Sequence, residues 1–377
     1  MATTTANFET KNHYQILDGL RGVAALQVVI FHCFEAFDGG DYYKLFPNHG
    51  YLAVDFFFLL SGFVVAYAYD SRWGKMTTWD FFKRRLIRLQ PMVIVGSMVG
   101  AALFYFQGSS LFPLINGTPV WKMLLVMVFG FTLLPLPISA DIRGWQEMHP
   151  LNGPCWSLYF EYIANILYGL IVRRFSKLLL WILVILSAAW MVYYLVTGKS
   201  GDLIGGWALN NEQQMIGLTR MMFPFFGGVL LCRLNLVKHV KYAFPICSVL
   251  LLALFLVPRL GGHERVWING LYESFCVILM FPLIVWIGAS GTIISAAGKK
   301  VCKFLGDISY PIYITHYPII YIFTAWVVDK KVPLAQGWPW IVVVVVSAVT
   351  LAYTALKLYD EPVREWLRKK YLARTAS

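Results

Sequence analysis

Long apolar stretches separated by short polar segments recur along the whole chain. A membrane-crossing helix needs about 20 mostly apolar residues. Eleven candidate stretches approach that length: 18–37, 50–69, 91–107, 120–139, 154–172, 178–196, 214–232, 243–258, 270–290, 310–328 and 339–357. The pattern predicts an all-α, polytopic integral membrane helix bundle that forms one domain over residues 1–377.

The distribution of Lys and Arg indicates which stretch does not cross, because cytoplasmic loops carry an excess of both. If 120–139 stays on one side, 22 of the 32 Lys and Arg residues become cytoplasmic. Pro135 and Pro137 also interrupt that stretch, so we predict ten crossings and one re-entrant or interfacial segment. The cytoplasmic segments are then the N-terminus 1–15, 70–90, 173–177, 233–241, 291–309 and the basic tail 358–377.

Composition supports a membrane protein, since 58% of residues are hydrophobic and 14% are charged. The net charge of +12 does not indicate a nucleic-acid partner, because the basic residues lie in short loops rather than on a soluble domain. The first fifteen residues lack the features of a removable signal peptide. Six cysteines show no C-x-x-C pair and no metal-ligand spacing, so we expect no metal site.

Ionisable side chains inside apolar helices are functional candidates, because they are costly in a bilayer and usually face a wet interior. The predicted helices contain Arg21, His32, Glu35, Asp55, Glu161, Arg220, Glu273 and His316.

The stretch LDGLRGVAALQVVIFH places His32 eleven residues after Arg21. Eleven residues turn an α-helix only about 20° past three full turns and advance it about 16 Å, so both side chains share one face. Glu35 follows on roughly the same face and can orient the imidazole. A snorkelling arginine and a hydrogen-bonded core histidine are the alternative interpretation.

Other polar groups cluster at three further places. In FFKRRLIRLQP, Arg84 accompanies Arg85 and Arg88, which share a helical face and can either bind phosphate or anchor the helix at the membrane surface. Trp156, Ser157 and Glu161 begin another helix, where the tryptophan can also be an interfacial anchor. The stretch SYPIYITHYP carries Ser309, Tyr310, Tyr313 and His316, which can serve a site or join helices by hydrogen bonds.

Together these stretches resemble the membrane-bound acyltransferase 3 family, which includes bacterial O-antigen and exopolysaccharide O-acetyltransferases. The matching elements cover nearly the whole chain in family order: LDGLRGVAAL with Arg-x10-His, GYLAVDFFFLLSGF, FFKRRLIRLQP, WSLYFE, RMMFPFFGGVLL, SYPIYITHYP and YDEPVREWL.

The resemblance implies transfer of an acyl group, usually acetyl, from cytoplasmic acetyl-CoA to a hydroxyl of an extracytoplasmic acceptor, usually a carbohydrate or glycolipid. Acyl-CoA would be a co-substrate, with no tightly bound cofactor, and the enzyme would lie in a bacterial inner membrane. Some relatives carry a second extracytoplasmic domain, so we expect this chain to act alone or with a separate partner protein. A transporter or acyl-group exporter is the alternative function.

By this likeness His32 is the general base or a transient acyl carrier, with Arg21 beside it. The full expectation is Arg21, His32, Glu35 and Glu161 for catalysis, Arg84, Arg85 and Arg88 for CoA, and Asp55, Trp156, Ser157, Tyr310 and His316 for the acceptor.

Overall fold

Residues 13–372 are described by a computed structural model and form fourteen α-helices without a β-strand in that range. The ends of the predicted cytoplasmic termini, 1–12 and 373–377, lie outside the described residues. The helices are α1 (Gln15–Glu35), α2 (Ala53–Tyr69), α3 (Thr78–Leu103), α4 (Val120–Gly130), α5 (Cys155–Leu170), α6 (Lys177–Thr197), α7 (Asn211–Leu234), α8 (Ala243–Leu256), α9 (Trp267–Phe275), α10 (Phe281–Ala289), α11 (Ala296–Thr315), α12 (Tyr317–Asp329), α13 (Leu334–Ala355) and α14 (Glu361–Tyr371).

The all-α, multi-pass prediction is confirmed, whereas helix length supports fewer crossings than ten. Within residues 13–372, seven helical stretches are long and apolar enough to cross a membrane, or eight if the bent pair α11–α12 is one span. The stretches predicted at 154–172 and 243–258 contain helices α5 and α8, which have 16 and 14 residues. Both are shorter than a usual span. Helix α4 has 11 residues, in keeping with a segment that does not cross.

The prediction of a loop over 291–309 is wrong, because helix α11 begins at Ala296. Ser295 caps this helix by accepting the backbone N–H of Gly298 through Oγ at 3.0 Å. The first half of α11 combines lysines with small residues, which lowers its mean hydropathy although it packs into the bundle. Helix α12 then leaves at 55° from α11, with Pro318 in its first turn.

Glycines let two helix pairs pack with their backbones almost in contact. A Cβ at Gly22 of α1 would lie 2.4 Å from the Leu305 carbonyl oxygen of α11. In the other pair, a Cβ at Gly62 of α2 would lie 1.8 Å from the Phe225 carbonyl oxygen of α7. Small residues at such interfaces allow the close approach that stabilises helices in a bilayer. These contacts fix α1 and α2, which carry much of the site described next.

All six cysteines lie within the described residues, and none of them forms a disulfide. Five are buried and Cys232 is half-buried, as expected for small core residues.

Candidate active site

The inward face of α1 meets two cavities at different levels. His32, near the end of the helix, lines a cavity of about 580 Å³, which we call the His32 cavity. Arg21, near the start, lines a smaller one of about 140 Å³, the Arg21 cavity. Val54 and Tyr313 line both. The predicted shared face is therefore present, but the two side chains look into adjoining cavities rather than into one open conduit.

The imidazole of His32 is oriented by the carboxylate one helical turn later. His32 Nδ1 lies 2.7 Å from Glu35 Oε2, and the histidine side chain is 18% exposed. A carboxylate acceptor favours the tautomer that carries its proton on Nδ1. His32 Nε2 then has a free lone pair, and no residue in 13–372 bonds to it. A neutral imidazole held in this way can act as a base or a nucleophile.

Aromatic rings of α11 and α12 surround this imidazole. The ring centroid of Tyr317 lies 4.7 Å from that of His32, edge to face. The His316 ring lies at 5.7 Å and nearly parallel. His316 itself is completely buried, and its Nδ1 lies 2.9 Å from the carbonyl oxygen of Ile312. It lines neither cavity, so it does not occupy the expected acceptor-contact position.

The guanidinium of Arg21 is held at the wall of its cavity. Arg21 Nε donates to Ser309 Oγ at 2.8 Å, and Nη2 lies 3.1 Å from Asp18 Oδ1. The close packing of α1 on α11 makes the contact with Ser309 possible, since Gly306 lies one turn earlier and its carbonyl accepts from Nη2 at 3.3 Å.

Helices α3 and α5 add two arginines and a carboxylate to the Arg21 cavity. Arg85 Nη2 donates to Glu161 Oε1 at 2.6 Å, and Ser61 Oγ donates to the same atom at 2.7 Å. The guanidinium carbon of Arg88 lies 5.7 Å from the Tyr310 ring centroid. With Arg21 included, three guanidinium groups and one carboxylate line the cavity. This excess of positive charge suits an anionic ligand.

Besides His316, five predicted site residues occupy other places than expected, namely Glu161, Ser157, Tyr310, Arg84 and Asp55. Glu161 lies in the Arg21 cavity with Arg85, away from His32, because the first two turns of α5 carry it past Tyr313. Ser157 and Tyr310 also line the Arg21 cavity rather than the presumed acceptor side. Arg84 lines neither cavity, since it projects from α3 about 100° away from Arg85.

Asp55 was expected to contact the acceptor but is wholly buried and lines neither cavity. Its Oδ2 accepts from Arg220 Nη2 at 2.7 Å, and its Oδ1 lies 3.3 Å from Arg220 Nε. This paired geometry compensates the cost of burying both charges. Arg220 reaches the wall of the His32 cavity, where its guanidinium carbon lies 4.9 Å from the ring centroid of Trp156, another residue of that wall.

Several residues of the His32 cavity are absent from the sequence prediction. Glu147, Trp207 and Tyr321 all line it. The first two lie between helices, where hydropathy gives no signal, and the third resembles an ordinary aromatic anchor. The segment DIRGWQE, which ends at Glu147, combines charges with a tryptophan and is the feature that could have indicated Glu147. The sequence carries no comparable signal for Trp207 and Tyr321.

Glu147 belongs to a buried polar group with an unusual proton affinity. Both of its carboxylate oxygens accept from the Tyr321 hydroxyl, at 2.6 and 2.7 Å. Arg143 Nε is 3.4 Å from Glu147 Oε2. Arg143 and the Tyr321 hydroxyl both lower the pKa of Glu147, but the loss of solvent has the larger effect and raises this pKa to about 7.

The fold and cavities together define a multi-pass helical membrane protein with a polar interior formed by its helices. The model of the Acyltransferase domain family matches residues 14–357, so the chain belongs to that acyltransferase family. No solved structure matches the chain significantly.

Two relatives illustrate the likeness. Over 165 residues the chain is 36% identical to Protein 2 in picA locus of Rhizobium radiobacter. The aligned region covers 41% of this chain and 80% of that protein. Over 367 residues it is 22% identical to O-acetyltransferase OatA of Staphylococcus aureus, covering 93% of this chain and 57% of OatA. The chain thus spans little more than half the length of OatA.

Proposed function

We propose that the protein is an O-acyltransferase that moves an acetyl group from cytoplasmic acetyl-CoA to a hydroxyl of an extracytoplasmic carbohydrate. The observation that carries this proposal is the imidazole of His32, held at Nδ1 by Glu35 and left free at Nε2, in a cavity that adjoins an arginine-lined one. Membership in the acyltransferase family and the name of the OatA relative support the same chemistry.

The Arg21 cavity is the proposed entry of the donor. CoA carries phosphates, which guanidinium groups bind with paired hydrogen bonds. Arg21, Arg85 and Arg88 line this cavity, and the pantetheine arm is slender and uncharged, so it can extend toward Val54 and Tyr313. The thioester would then reach the wall that the two cavities share. Acceptor and donor would meet there from opposite sides.

In the proposed step, the acceptor hydroxyl attacks the thioester carbonyl while Nε2 of His32 takes its proton. The new oxygen–carbon bond forms as the carbon–sulfur bond breaks, and the imidazolium returns the proton to the leaving CoA sulfur. Glu35 stabilises the imidazolium during the step. Prior acylation of Nε2, followed by attack of the hydroxyl on acyl-imidazole, uses the same arrangement.

The His32 cavity suits a carbohydrate acceptor. Its wall combines tryptophans and tyrosines with carboxylates and a guanidinium, and its volume of about 580 Å³ exceeds that of a single sugar ring. Aromatic rings pack against the C–H faces of a sugar, while the charged groups bind its hydroxyls.

The test is transfer of radiolabel from acetyl-CoA to glycans by the purified full-length protein. A His32→Gln variant should lose at least about 10²-fold in rate, because a positioned base contributes that much or more. The matched control is His239→Gln, which changes an exposed histidine. Unchanged transfer by His32→Gln would remove His32 from the mechanism. A wild-type protein that moves a solute but labels no glycan would favour the transporter alternative.

The donor site has a separate test. Arg88→Gln combined with Arg85→Gln should weaken acetyl-CoA binding at least about tenfold, because each guanidinium offers charge-assisted hydrogen bonds. Arg174→Gln, at an exposed position, controls for general loss of positive charge. Equal acetyl-CoA affinity in both variants, measured by equilibrium binding, would mean that the arginines only anchor α3.

A further inference from the structure

We propose that Glu147 binds a second hydroxyl group of the acceptor, so that the His32 cavity selects polyhydroxylated sugar rings over acceptors with a single hydroxyl. The inference rests on the proposed function and specifies the substrate class of the same cavity. Glu147 would be a positioning residue that orients the sugar while the reacting hydroxyl lies at His32.

Glu147 and His32 face the same space from different elements. His32 lies on α1, whereas Glu147 lies in the segment before α5, and both line the cavity. Three contacts in series link them. The His32 ring meets Tyr317 at 4.7 Å, the Tyr317 ring meets Tyr321 at 4.5 Å, and the Tyr321 hydroxyl bonds to the Glu147 carboxylate. Because both residues line one cavity, a ligand that spans the distance across Tyr317 and Tyr321 can touch both.

The carboxyl group of Glu147 has unused hydrogen-bonding capacity. A carboxylate offers about four acceptor positions, but Tyr321 provides the one hydroxyl donor that Glu147 has within residues 13–372. The nearest atom of Arg143 is 3.4 Å away, at the edge of hydrogen-bonding distance. Both oxygens therefore have a partner, while further acceptor positions of the carboxylate are left over for a hydroxyl of a ligand in the cavity.

The position of Glu147 is fixed by a rigid network rather than by the ligand. Arg143 is fully buried and donates from Nη2 to the Pro150 carbonyl oxygen at 2.7 Å and from Nη1 to Gln107 Oε1 at 2.8 Å. Its guanidinium carbon lies 3.5 Å from the centroid of the Tyr321 ring. Such second-layer support holds a binding group in place before the substrate arrives.

A glycine keeps the cavity side of the carboxylate open. Gly153 lines the cavity, and a Cβ built on it would lie 2.7 Å from Glu147 Oε1 and 2.9 Å from the Tyr321 hydroxyl. Any side chain at this position would therefore cover the group. Trp145, Trp156 and Trp207 complete the wall and offer flat surfaces for a sugar ring.

The experiment measures acetyl transfer from acetyl-CoA to a set of methyl pyranosides, to their monodeoxy analogues and to octanol, using purified full-length protein. At pH 8, above the pKa of about 7, Glu147 is ionised. The wild type should then favour the best pyranoside over one of its monodeoxy analogues by about 10- to 100-fold in kcat/KM, as expected for a hydrogen bond to a charged group. Glu147→Gln should lower activity on the parent sugar and leave that analogue nearly unaffected, which removes the discrimination. Glu264→Gln, an exposed carboxylate, is the matched control.

A second variant keeps Glu147 and covers it. Gly153→Ala should cause the same selective loss, and equal acetyl-CoA affinity in all variants shows that the donor side is intact. Three results would overturn the inference without contradicting acyl transfer. Glu147→Gln could still discriminate between the pyranoside and its analogue, or it could lose activity equally on every acceptor. The wild type could also transfer acetyl to octanol as fast as to pyranosides. A wild type that transfers acetyl to no acceptor at all would refute the proposed function, and this inference with it.

Discussion

Among single residues, Glu147 shows how burial competes with neighbouring charge. Loss of solvent raises its pKa, whereas Arg143 and the Tyr321 hydroxyl lower it and Asp141 and Glu35 raise it further. Desolvation is the largest effect, and the resulting pKa is about 7 instead of 4.5. The folded protein therefore binds a proton at this site between those two values, while the unfolded chain does not.

This difference predicts a pH dependence of stability. A carboxyl group with a raised folded-state pKa stabilises the fold fully below pH 4.5, and that contribution is lost as the pH rises through about 7. Between pH 5 and 8 the wild type should lose up to about 3 kcal/mol more than Glu147→Gln. Thermal melts of both proteins in one detergent provide the comparison, with Glu264→Gln as control. If the melting temperatures of the wild type and Glu147→Gln change in parallel with pH, the raised pKa of Glu147 is contradicted.

Sequence spacing predicted contacts within one helix and failed for contacts between helices. His32 and Glu35 lie one turn apart on α1, and their predicted contact is present at 2.7 Å. Asp55 and Glu161 find their partners on α7 and α3. No periodicity in α2 or α5 specifies which neighbour packs against them, so their places in the site depend on tertiary packing alone.

At the level of elements, backbone contact between α2 and α7 depends on individual glycines. A Cβ at Gly228 would lie 2.1 Å from the Leu59 carbonyl oxygen and 2.8 Å from the Phe63 nitrogen. The preceding residue, Gly227, has ordinary space, because its Cβ would meet no atom closer than 3.7 Å. Two adjacent glycines of one helix thus experience opposite surroundings.

Alanine at these two positions should separate packing from helix propensity. Gly228→Ala should force α2 and α7 apart and destabilise the protein by about 1–3 kcal/mol, the usual cost of overpacking. Gly227→Ala should be neutral or slightly stabilising, because alanine is the better helix former. Melting temperatures from size-exclusion chromatography after heating distinguish the two. Similar melting temperatures for both variants would mean that the helices do not pack this closely.

Helix α11 shows why hydropathy alone misplaced an element. Its first half carries Lys299, Lys300 and Lys303 on exposed positions, while Cys302 and Gly306 pack toward α1. The hydropathy averaged over all of these residues is too low to indicate a membrane helix, so the sequence predicts a loop. The resemblance found the chemistry of SYPIYITHYP, but the packing of its helix on α1 required the structure.

For the whole molecule, the central feature is the wall that the two cavities share. Val54 and Tyr313 separate the Arg21 cavity from the His32 cavity, and the Tyr313 hydroxyl lies 2.6 Å from Ser157 Oγ. Because these residues come from α2, α11 and α5, the wall exists only in the assembled bundle. The sequence predicted the polar residues on both sides and could not predict where the cavities meet.

The proposed reaction also requires that the Arg21 cavity face the cytoplasm, where acetyl-CoA is found. Helices α1 and α11 run parallel, since Gly19 lies against Cys302 and Gly22 against Leu305. Lys299, at the start of α11, therefore marks the Arg21 end of the bundle. Lys44, in the segment after α1, marks the His32 end.

Labelling of introduced cysteines in intact cells tests this orientation. A membrane-impermeant maleimide should label Lys44→Cys directly and should label Lys299→Cys only after the membrane is permeabilised, since both positions are exposed. The unsubstituted protein, with five buried cysteines and the half-buried Cys232, gives the background. The reverse pattern would place the three arginines outside the cell, where acetyl-CoA cannot reach them, and would exclude the proposed donor site while leaving the fold unchanged.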